Sequence, residues 1–159
     1  MILPVIFERC ISVILKSEGG YVNNPNDLGG ETKYGICKRY FPNEDIKNLT
    51  IERAKELYFS YYWFPMNLTG IVNDAAILEI FDMGVNSGKG NAIRIAQRLV
   101  GTDPDGKLGN ITKTAINNTV DFLPKYKQAR LEYYARIAGN RNNHVFIQGW
   151  INRVLKTHF

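Results

Sequence analysis

Apolar residues recur every three or four positions along most of the chain, a spacing that is typical of amphipathic helices. In the first predicted helix this spacing relates Phe7, Cys10, Ile11, Ile14 and Leu15. The glycine pair at positions 19 and 20 is expected to end that helix. Further helices are predicted from Thr50 to about Tyr62, from Asp74 to Met83 and from Ala92 to Val100, and onward from about Thr112, Pro124 and Asn143.

The spacing also predicts the helix ends and the faces that turn inward. Thr50 is expected to cap one helix at its N-terminus and Gly101 another at its C-terminus, while Pro124 suits a first turn. Residues 84–90 are expected to break the helical pattern. The predicted inward-facing residues of three helices are Ile51, Ala54, Leu57, Tyr58 and Tyr61, then Tyr126, Ala129, Tyr133 and Ile137, and finally Phe146, Trp150 and Val154.

Residues 21–36 interrupt this pattern. They are rich in Asn, Gly, Pro and Asp, with short β-like pieces at Tyr21-Val22 and at Lys33–Ile36. The sequence therefore predicts a mainly α fold, in which a helical domain carries one small β/loop insertion after its first helix. No clear linker divides it, so we expect one domain over residues 1–159.

Composition and charge narrow the class of protein. The chain has 159 residues, of which 45% are hydrophobic and 22% charged, as in an ordinary globular domain. A net charge of +5 favours an anionic partner. The basic residues are scattered, which disfavours nucleic acid. Cys10 and Cys37 are expected to be free thiols, with a single bridge between them left open.

The N-terminus does not resemble a targeting segment. Glu8 and Arg9 interrupt its apolar stretch, and no cleavage site follows. We therefore expect no signal peptide, no stable membrane insertion and synthesis in the cytoplasm. If its substrate lies outside the membrane, another component would then have to release or export the protein.

Glu18 is the first candidate for chemistry. Phe7, Ile11, Ile14 and Glu18 lie on one helical face, because their positions differ by four, three and four. Glu18 thus follows an apolar stripe at the negative end of the helix dipole, and both surroundings favour a protonated carboxyl. Such a group suits a glycosidase that protonates a leaving oxygen. The alternative is a solvated glutamate at a frayed helix end.

Asp27 and Thr32 follow in the polar, glycine-rich segment. This setting is expected to keep the Asp27 carboxyl ionised, and the Thr32 hydroxyl is placed to orient a water molecule. An acid in apolar surroundings and a base in polar surroundings are the two halves of glycoside hydrolysis, and a separation of about 6.5–9.5 Å between them would invert the sugar anomer. The alternative for Asp27 is an ordinary turn residue.

The segment from Glu18-Gly-Gly-Tyr21 to Asn23-x-Pro-x-Asp-x-Gly-Gly-x-Thr-x-Tyr-Gly-Ile36 resembles the signature of glycoside hydrolase family 108, a family of N-acetylmuramidases. This resemblance implies that Glu18 is the catalytic acid. The order Glu18, Asp27, Thr32 is also similar to the Glu-Asp-Thr set of phage-type lysozymes, which supports Asp27 and Thr32 in water activation. The family pattern allows any residue at position 31, and we interpret Glu31 as an exposed loop charge.

The C-terminal half resembles the predicted peptidoglycan-binding segment of the same proteins. The motifs are Phe81-Asp-Met-Gly-Val-Asn-Ser-Gly88, Ala96-Gln-Arg-Leu99 and Asp105-Gly-Lys-Leu-Gly109. We expect family segments of about 1–72 and 73–159, packed as one domain. Asn86 and Gln97 are candidate substrate-binding residues, the alternatives being a helix cap and a polar side chain that simply faces solvent.

The resemblance implies a lysozyme-like α+β fold and a muramidase, most simply a phage-type endolysin that acts on the cell wall or in the periplasm, with peptidoglycan glycan strands as its partner. Tyr21 and Tyr34 flank the site and are predicted to stack on sugar rings.

Neither histidine has a partner at metal-ligand spacing, so no metal or cofactor is expected, and we assume a monomer. A lytic transglycosylase, a non-catalytic cell-wall-binding or secretion-regulating protein, and a bacterial enzyme with its own export machinery remain alternatives.

Overall fold

The chain folds into helices joined by loops, with one short hairpin, as seen in a computed structural model that describes residues 3–17, 20–23, 30–139 and 146–159. The predicted mainly α fold, with a small β insertion after the first helix, is confirmed. Internal contacts divide the chain into two compact units, Met1–Tyr61 and Tyr62–Phe159. The single domain expected over 1–159 stays a prediction.

The first unit contains helix α1 (Val5–Ser17), strands β1 (Thr32–Lys33) and β2 (Ile36–Cys37), and helix α2 (Ile51–Tyr58). The apolar stripe predicted for α1 is confirmed, because Phe7, Cys10, Ile11 and Ile14 are all buried. Position 19 of the predicted helix stop lies outside the described residues. Thr50 caps α2 as predicted, since its hydroxyl accepts a hydrogen bond from the Arg53 amide at 3.1 Å.

The inward face predicted for the helix from Thr50 to about Tyr62 is partly wrong. Ala54, Leu57 and Tyr58 are buried, but Ile51 and Tyr61 are exposed. Regular α-helix ends at Tyr58, and a π-helical turn (Phe59–Trp63) follows before the short helix α3 (Phe64–Met66). This wider turn moves later side chains off the α-helical spacing that the prediction assumed.

The second unit is built from helices α4 (Asp74–Ser87), α5 (Lys89–Val100), α6 (Asn110–Asn118), α7 (Phe122–Ala138) and α8 (Ile147–Lys156). The expected cap of α5 at Gly101 is confirmed by its left-handed φ of 69°. Pro124 lies in the first turn of α7, as expected. The predicted start of α8 near position 143 lies outside the described residues.

The helix break predicted over residues 84–90 is confirmed only at Gly88. Helix α4 continues through Gly84 to Ser87. A Cβ atom at Gly84 would lie 2.6 Å from the Met66 sulfur, so the glycine lets the end of the Met66 side chain pack directly against the α4 backbone. The break falls at Gly88, whose φ is 94°.

The buried stripe of α7 differs from the predicted one by a single register step. Tyr126 is buried as expected, but the residues that continue its face are Arg130, Tyr134 and Ala138. Ala129, Tyr133 and Ile137 are only partly buried. The prediction followed the spacing of apolar residues alone, whereas the buried face has the charged residue Arg130 at its centre.

Arg130 is fully buried because two carboxylates of α4 surround it. Glu79 and Asp82 lie one helical turn apart; Arg130 Nη1 donates to the Glu79 carboxylate and Nη2 donates to Asp82 Oδ2 at 2.7 Å. Arg153 Nε of α8 donates to Asp82 Oδ1 at 2.9 Å, and Lys127 Nζ lies 3.2 Å from Glu79 Oε1. This buried charge cluster connects α4, α7 and α8. Among the described residues, no helix is long and apolar enough to cross a membrane.

Replacing Arg130 should destabilise the second unit. Arg130→Met would leave Glu79 and Asp82 buried without their main partner, at a cost of about 3–5 kcal/mol in the free energy of unfolding at pH 7. Burial already raises the pKa of the Glu79 carboxyl, and the charges of Arg130 and Lys127 only partly offset this. Urea unfolding monitored by circular dichroism measures the loss.

The pH dependence of this loss has a definite sign. A carboxyl whose pKa is raised in the folded state takes up its proton there first as the pH falls. The deficit of Arg130→Met should therefore shrink between pH 7 and the ordinary carboxyl range of about 4.3. Lys125→Met, an exposed cation of the same helix, is the control and should change stability by about 0.5 kcal/mol or less. A loss below about 1 kcal/mol in Arg130→Met would contradict the role of the cluster.

Candidate active site

A tight hairpin forms the centre of the first unit's β segment. Strands β1 and β2 are antiparallel, with Thr32 opposite Cys37 and Lys33 opposite Ile36. The two residues between the strands, Tyr34 and Gly35, have positive φ values of 52° and 73°. Two successive positive φ values are the mark of a type I′ turn, which matches the natural twist of a hairpin. The β-like piece predicted over Lys33–Ile36 is thus strand, turn and strand.

Helix α2 stabilises this turn through its last residue, Tyr58. The Tyr58 hydroxyl donates to the Tyr34 carbonyl oxygen at 3.0 Å, and only 1% of Tyr58 is exposed. Ile36, directly after the turn, is also buried. Tyr34 adopts a left-handed conformation that is uncommon for a bulky residue, and the Tyr58 hydrogen bond helps to hold it there.

Thr32 is held by its backbone on the side away from β2. Its N–H and C=O exchange two hydrogen bonds with Val22, each of 2.8 Å. Its hydroxyl donates to the Gly30 carbonyl oxygen at 3.3 Å. Because this bond uses the hydroxyl proton, the lone pairs of the oxygen remain as acceptors for a water molecule. This geometry is compatible with the predicted role of Thr32, which stays a prediction.

A hydrogen bond joins Tyr21 to Glu31, between the segments that contain Val22 and Thr32. The Tyr21 hydroxyl donates to Glu31 Oε1 at 2.8 Å. The interpretation of Glu31 as an exposed loop charge is therefore wrong, since the residue is partly buried and bonded. The antiparallel pairing of Val22 with Thr32 makes Tyr21 and Glu31 diagonal neighbours. That pairing was not visible in the sequence.

The bond fixes the tyrosine that is predicted to stack on sugar. Tyr21 is 39% exposed, so its ring is accessible to a ligand. Accepting its hydroxyl hydrogen bond, the Glu31 carboxylate raises the pKa of Tyr21 above the ordinary value of 10.0. Tyr34 is partly buried, and Lys33 Nζ lies 5.4 Å from the centre of its ring.

Glu18 and Asp27 lie outside the described residues. Helix α1 is described as far as Ser17, directly before Glu18, and the apolar residues of the face on which the helical spacing sets Glu18 are buried. The assignments of Glu18 and Asp27 as catalytic residues rest on the sequence motif and stay predictions.

Asn86 and Gln97 belong to the second unit, and internal contacts already occupy both side chains. Asn86 Nδ2 donates to the Tyr134 hydroxyl at 2.7 Å. Gln97 is 1% exposed; its amide nitrogen donates twice into the turn at 105–107, at 2.7 and 3.0 Å, and its oxygen accepts a backbone N–H there at 2.9 Å. These contacts give both residues a structural role. Their assignment to substrate binding stays a prediction.

Comparison with known proteins agrees with the segment order expected from the motifs. Residues 11–88 match the family described as glycosyl hydrolase 108, and residues 91–155 match the family described as predicted peptidoglycan domain. A solved structure of SagA from Brucella abortus is similar, with a TM-score of 0.80 and 27% identity over 95% of this chain and 90% of that one. No curated protein matches the chain.

The two family matches support a glycoside hydrolase related to the bacterial cell wall. They divide the chain between residues 88 and 91, within the second compact unit, so the helix α4 is part of the hydrolase segment. The described hairpin, with Thr32 and Tyr34, and the neighbouring Tyr21 lie entirely in that segment.

The Tyr21–Glu31 bond predicts a measurable titration. Glu31→Gln weakens the hydrogen bond that holds the phenol proton and also removes the negative charge that opposes its ionisation, so the pKa of Tyr21 should fall toward its ordinary value of 10.0. NMR of the protein labelled with ¹³C at the tyrosine Cζ follows each phenol separately, with Tyr21→Phe identifying the signal. Glu52→Gln, at an exposed glutamate of α2, is the control. An unchanged Tyr21 titration in Glu31→Gln would show that the bond does not form in solution.

Proposed function

We propose, from the match of residues 11–88 to the glycosyl hydrolase 108 family, that the chain is an N-acetylmuramidase. It hydrolyses the β-1,4 bond between N-acetylmuramic acid and N-acetylglucosamine in peptidoglycan. The observation that carries the proposal is the motif from Glu18 to Ile36, whose described second half forms a hairpin that holds Thr32 by its backbone. The peptidoglycan match of residues 91–155 supports this choice of polymer.

The proposed reaction uses one carboxyl as an acid and one as a base. Glu18 gives its proton to the glycosidic oxygen as the bond from that oxygen to the anomeric carbon breaks. A water molecule supplies the new hydroxyl at the anomeric carbon, and its proton passes to Asp27. Thr32 accepts a hydrogen bond from that water through its hydroxyl oxygen. A carboxylate thus stabilises the positive charge that develops on the sugar, and no cofactor takes part in the proposed reaction.

Tyr21 and Tyr34 are proposed to bind sugar rings on either side of this chemistry. Tyr21 keeps an accessible ring while its hydroxyl is held by Glu31. A ring that is held in one orientation loses little side-chain entropy when it stacks on a sugar. The net charge of +5 supports association with an anionic cell wall.

Mass spectrometry of the products from purified peptidoglycan tests the proposal. We expect reducing N-acetylmuramic acid ends from the wild type, and a loss of at least about 10²-fold in rate for Glu18→Gln, because the amide cannot donate the proton. Glu52→Gln should retain full activity, and circular dichroism should show that all variants are folded. Ends lighter by one water would instead indicate a lytic transglycosylase. Intact glycan with the folded wild type would indicate a non-catalytic protein.

The same assay tests the proposed roles of Asp27 and Thr32 in activating water. Asp27→Asn should lose about 10²-fold in rate if Asp27 is the base. Thr32→Val keeps the β-branched shape that the strand favours but removes the hydroxyl, so it should lose about tenfold, while Thr32→Ser should retain more activity. Full activity in Asp27→Asn would remove that residue from the mechanism.

The proposed setting is that of an endolysin made in the cytoplasm, acting as a monomer on the wall after release or export. Bacteria that express the chain should remain intact until chloroform permeabilises the inner membrane, and should then lyse. Lysis without permeabilisation would show that the chain crosses the membrane by itself.

A further inference from the structure

A groove in the second unit carries two cationic side chains with no anionic partner among the described residues. It has a volume of about 290 Å³ and lies between helices α5 and α7. Its apolar part is formed by Ile95, Leu99 and Ala129. Arg98 and Arg136 are exposed at its edge.

The two arginines differ from others in this chain. Arg130 and Arg53 are each bound to two carboxylates, at the core and at the surface respectively. Within the described parts of the chain, by contrast, the guanidinium groups of Arg98 and Arg136 form no ion pair. Arg136 lies with its guanidinium carbon 5.5 Å from the centre of the Tyr133 ring, which orients the group without neutralising it.

The wall of the groove is held in place by contacts within the unit. The Tyr133 hydroxyl accepts a hydrogen bond from Asn91 Nδ2 at 3.2 Å, and its ring meets that of Tyr134 edge to face at 5.7 Å. Glu132 also lines the groove, and its carboxylate accepts a hydrogen bond from Gln128 at 2.9 Å. The site thus combines a small apolar surface, two guanidinium groups and one carboxylate.

We infer that this groove binds the peptide stems of peptidoglycan through their carboxylates. Guanidinium groups bind carboxylates with paired, charge-assisted hydrogen bonds, and the stems, unlike the neutral sugars of the glycan backbone, carry several free carboxylates. The apolar part suits the methyl groups of the stem's alanines. Glu132 suits the free amine of its diamino acid and disfavours a polyanion such as nucleic acid.

The groove lies within residues 91–155, which match the predicted peptidoglycan domain. It shares no residue with the hairpin that carries Thr32. The inference therefore assigns a second contact with the same polymer, to its peptide part, and it does not depend on hydrolysis by Glu18.

Isothermal titration calorimetry with the full chain and a synthetic stem tetrapeptide, alanine–glutamate–diaminopimelate–alanine, tests this assignment. The peptide contains no glycosidic bond, so the result is separate from that of the muramidase assay. We expect binding by the wild type, and a loss of about tenfold in affinity for Arg98→Gln and for Arg136→Gln, since each removes charge-assisted hydrogen bonds. Lys125→Gln, which removes an exposed charge from α7 outside the groove, should bind like the wild type.

A peptide whose carboxylates are converted to amides should also bind about tenfold or more weakly to the wild type. Both arginines are exposed, so the variants should fold, and circular dichroism checks this. The assignment is overturned if the wild type does not bind the tetrapeptide, if the arginine variants bind it as tightly as Lys125→Gln does, or if the amidated peptide binds equally well.

Discussion

The pairing of the Thr32 backbone is the constraint on which the candidate site depends. Val22 takes both hydrogen-bonding groups of Thr32, and strand β2 lies on its other side. A one-residue slip of β1 would place the neighbouring side chain on the face that Thr32 now occupies. The type I′ turn at Tyr34 and Gly35 prevents such a slip, because it allows only one register. The hydroxyl proposed to orient water is thus positioned by a chain of backbone bonds.

The second unit depends on a different interaction, the burial of Arg130 between Glu79 and Asp82. Burying three charged side chains is costly unless each has partners, and here each lies against at least one opposite charge. The cluster connects helices α4, α7 and α8, and α4 ends the hydrolase segment while α7 and α8 belong to the peptidoglycan segment. This buried charge cluster therefore holds helices of the two family segments together, and substitutions within it are expected to be destabilising.

The sequence predicted the fold where hydrophobic spacing and capping residues agree. The stripe of α1, the Thr50 cap and the glycine stop at Gly101 followed from elementary helix chemistry. The register of α7 did not, because recognising Arg130 as a core residue requires knowledge of its partners 48 and 51 positions away. The Tyr21–Glu31 bond was missed for the same reason, since it depends on strand pairing across a loop. Long-range pairing, not local preference, limits what one sequence reveals.

The central claim is that the motif from Glu18 to Ile36 cuts glycan, with Thr32 held by the hairpin beside the bond. A crystal structure of the Glu18→Gln variant with a tetrasaccharide of alternating N-acetylglucosamine and N-acetylmuramic acid tests it most directly. The account predicts a glycosidic oxygen within about 2.6–3.2 Å of the side chain at position 18, and the Thr32 hydroxyl one water molecule from the anomeric carbon. A glycan bound with its β-1,4 bonds away from both residues would contradict the account.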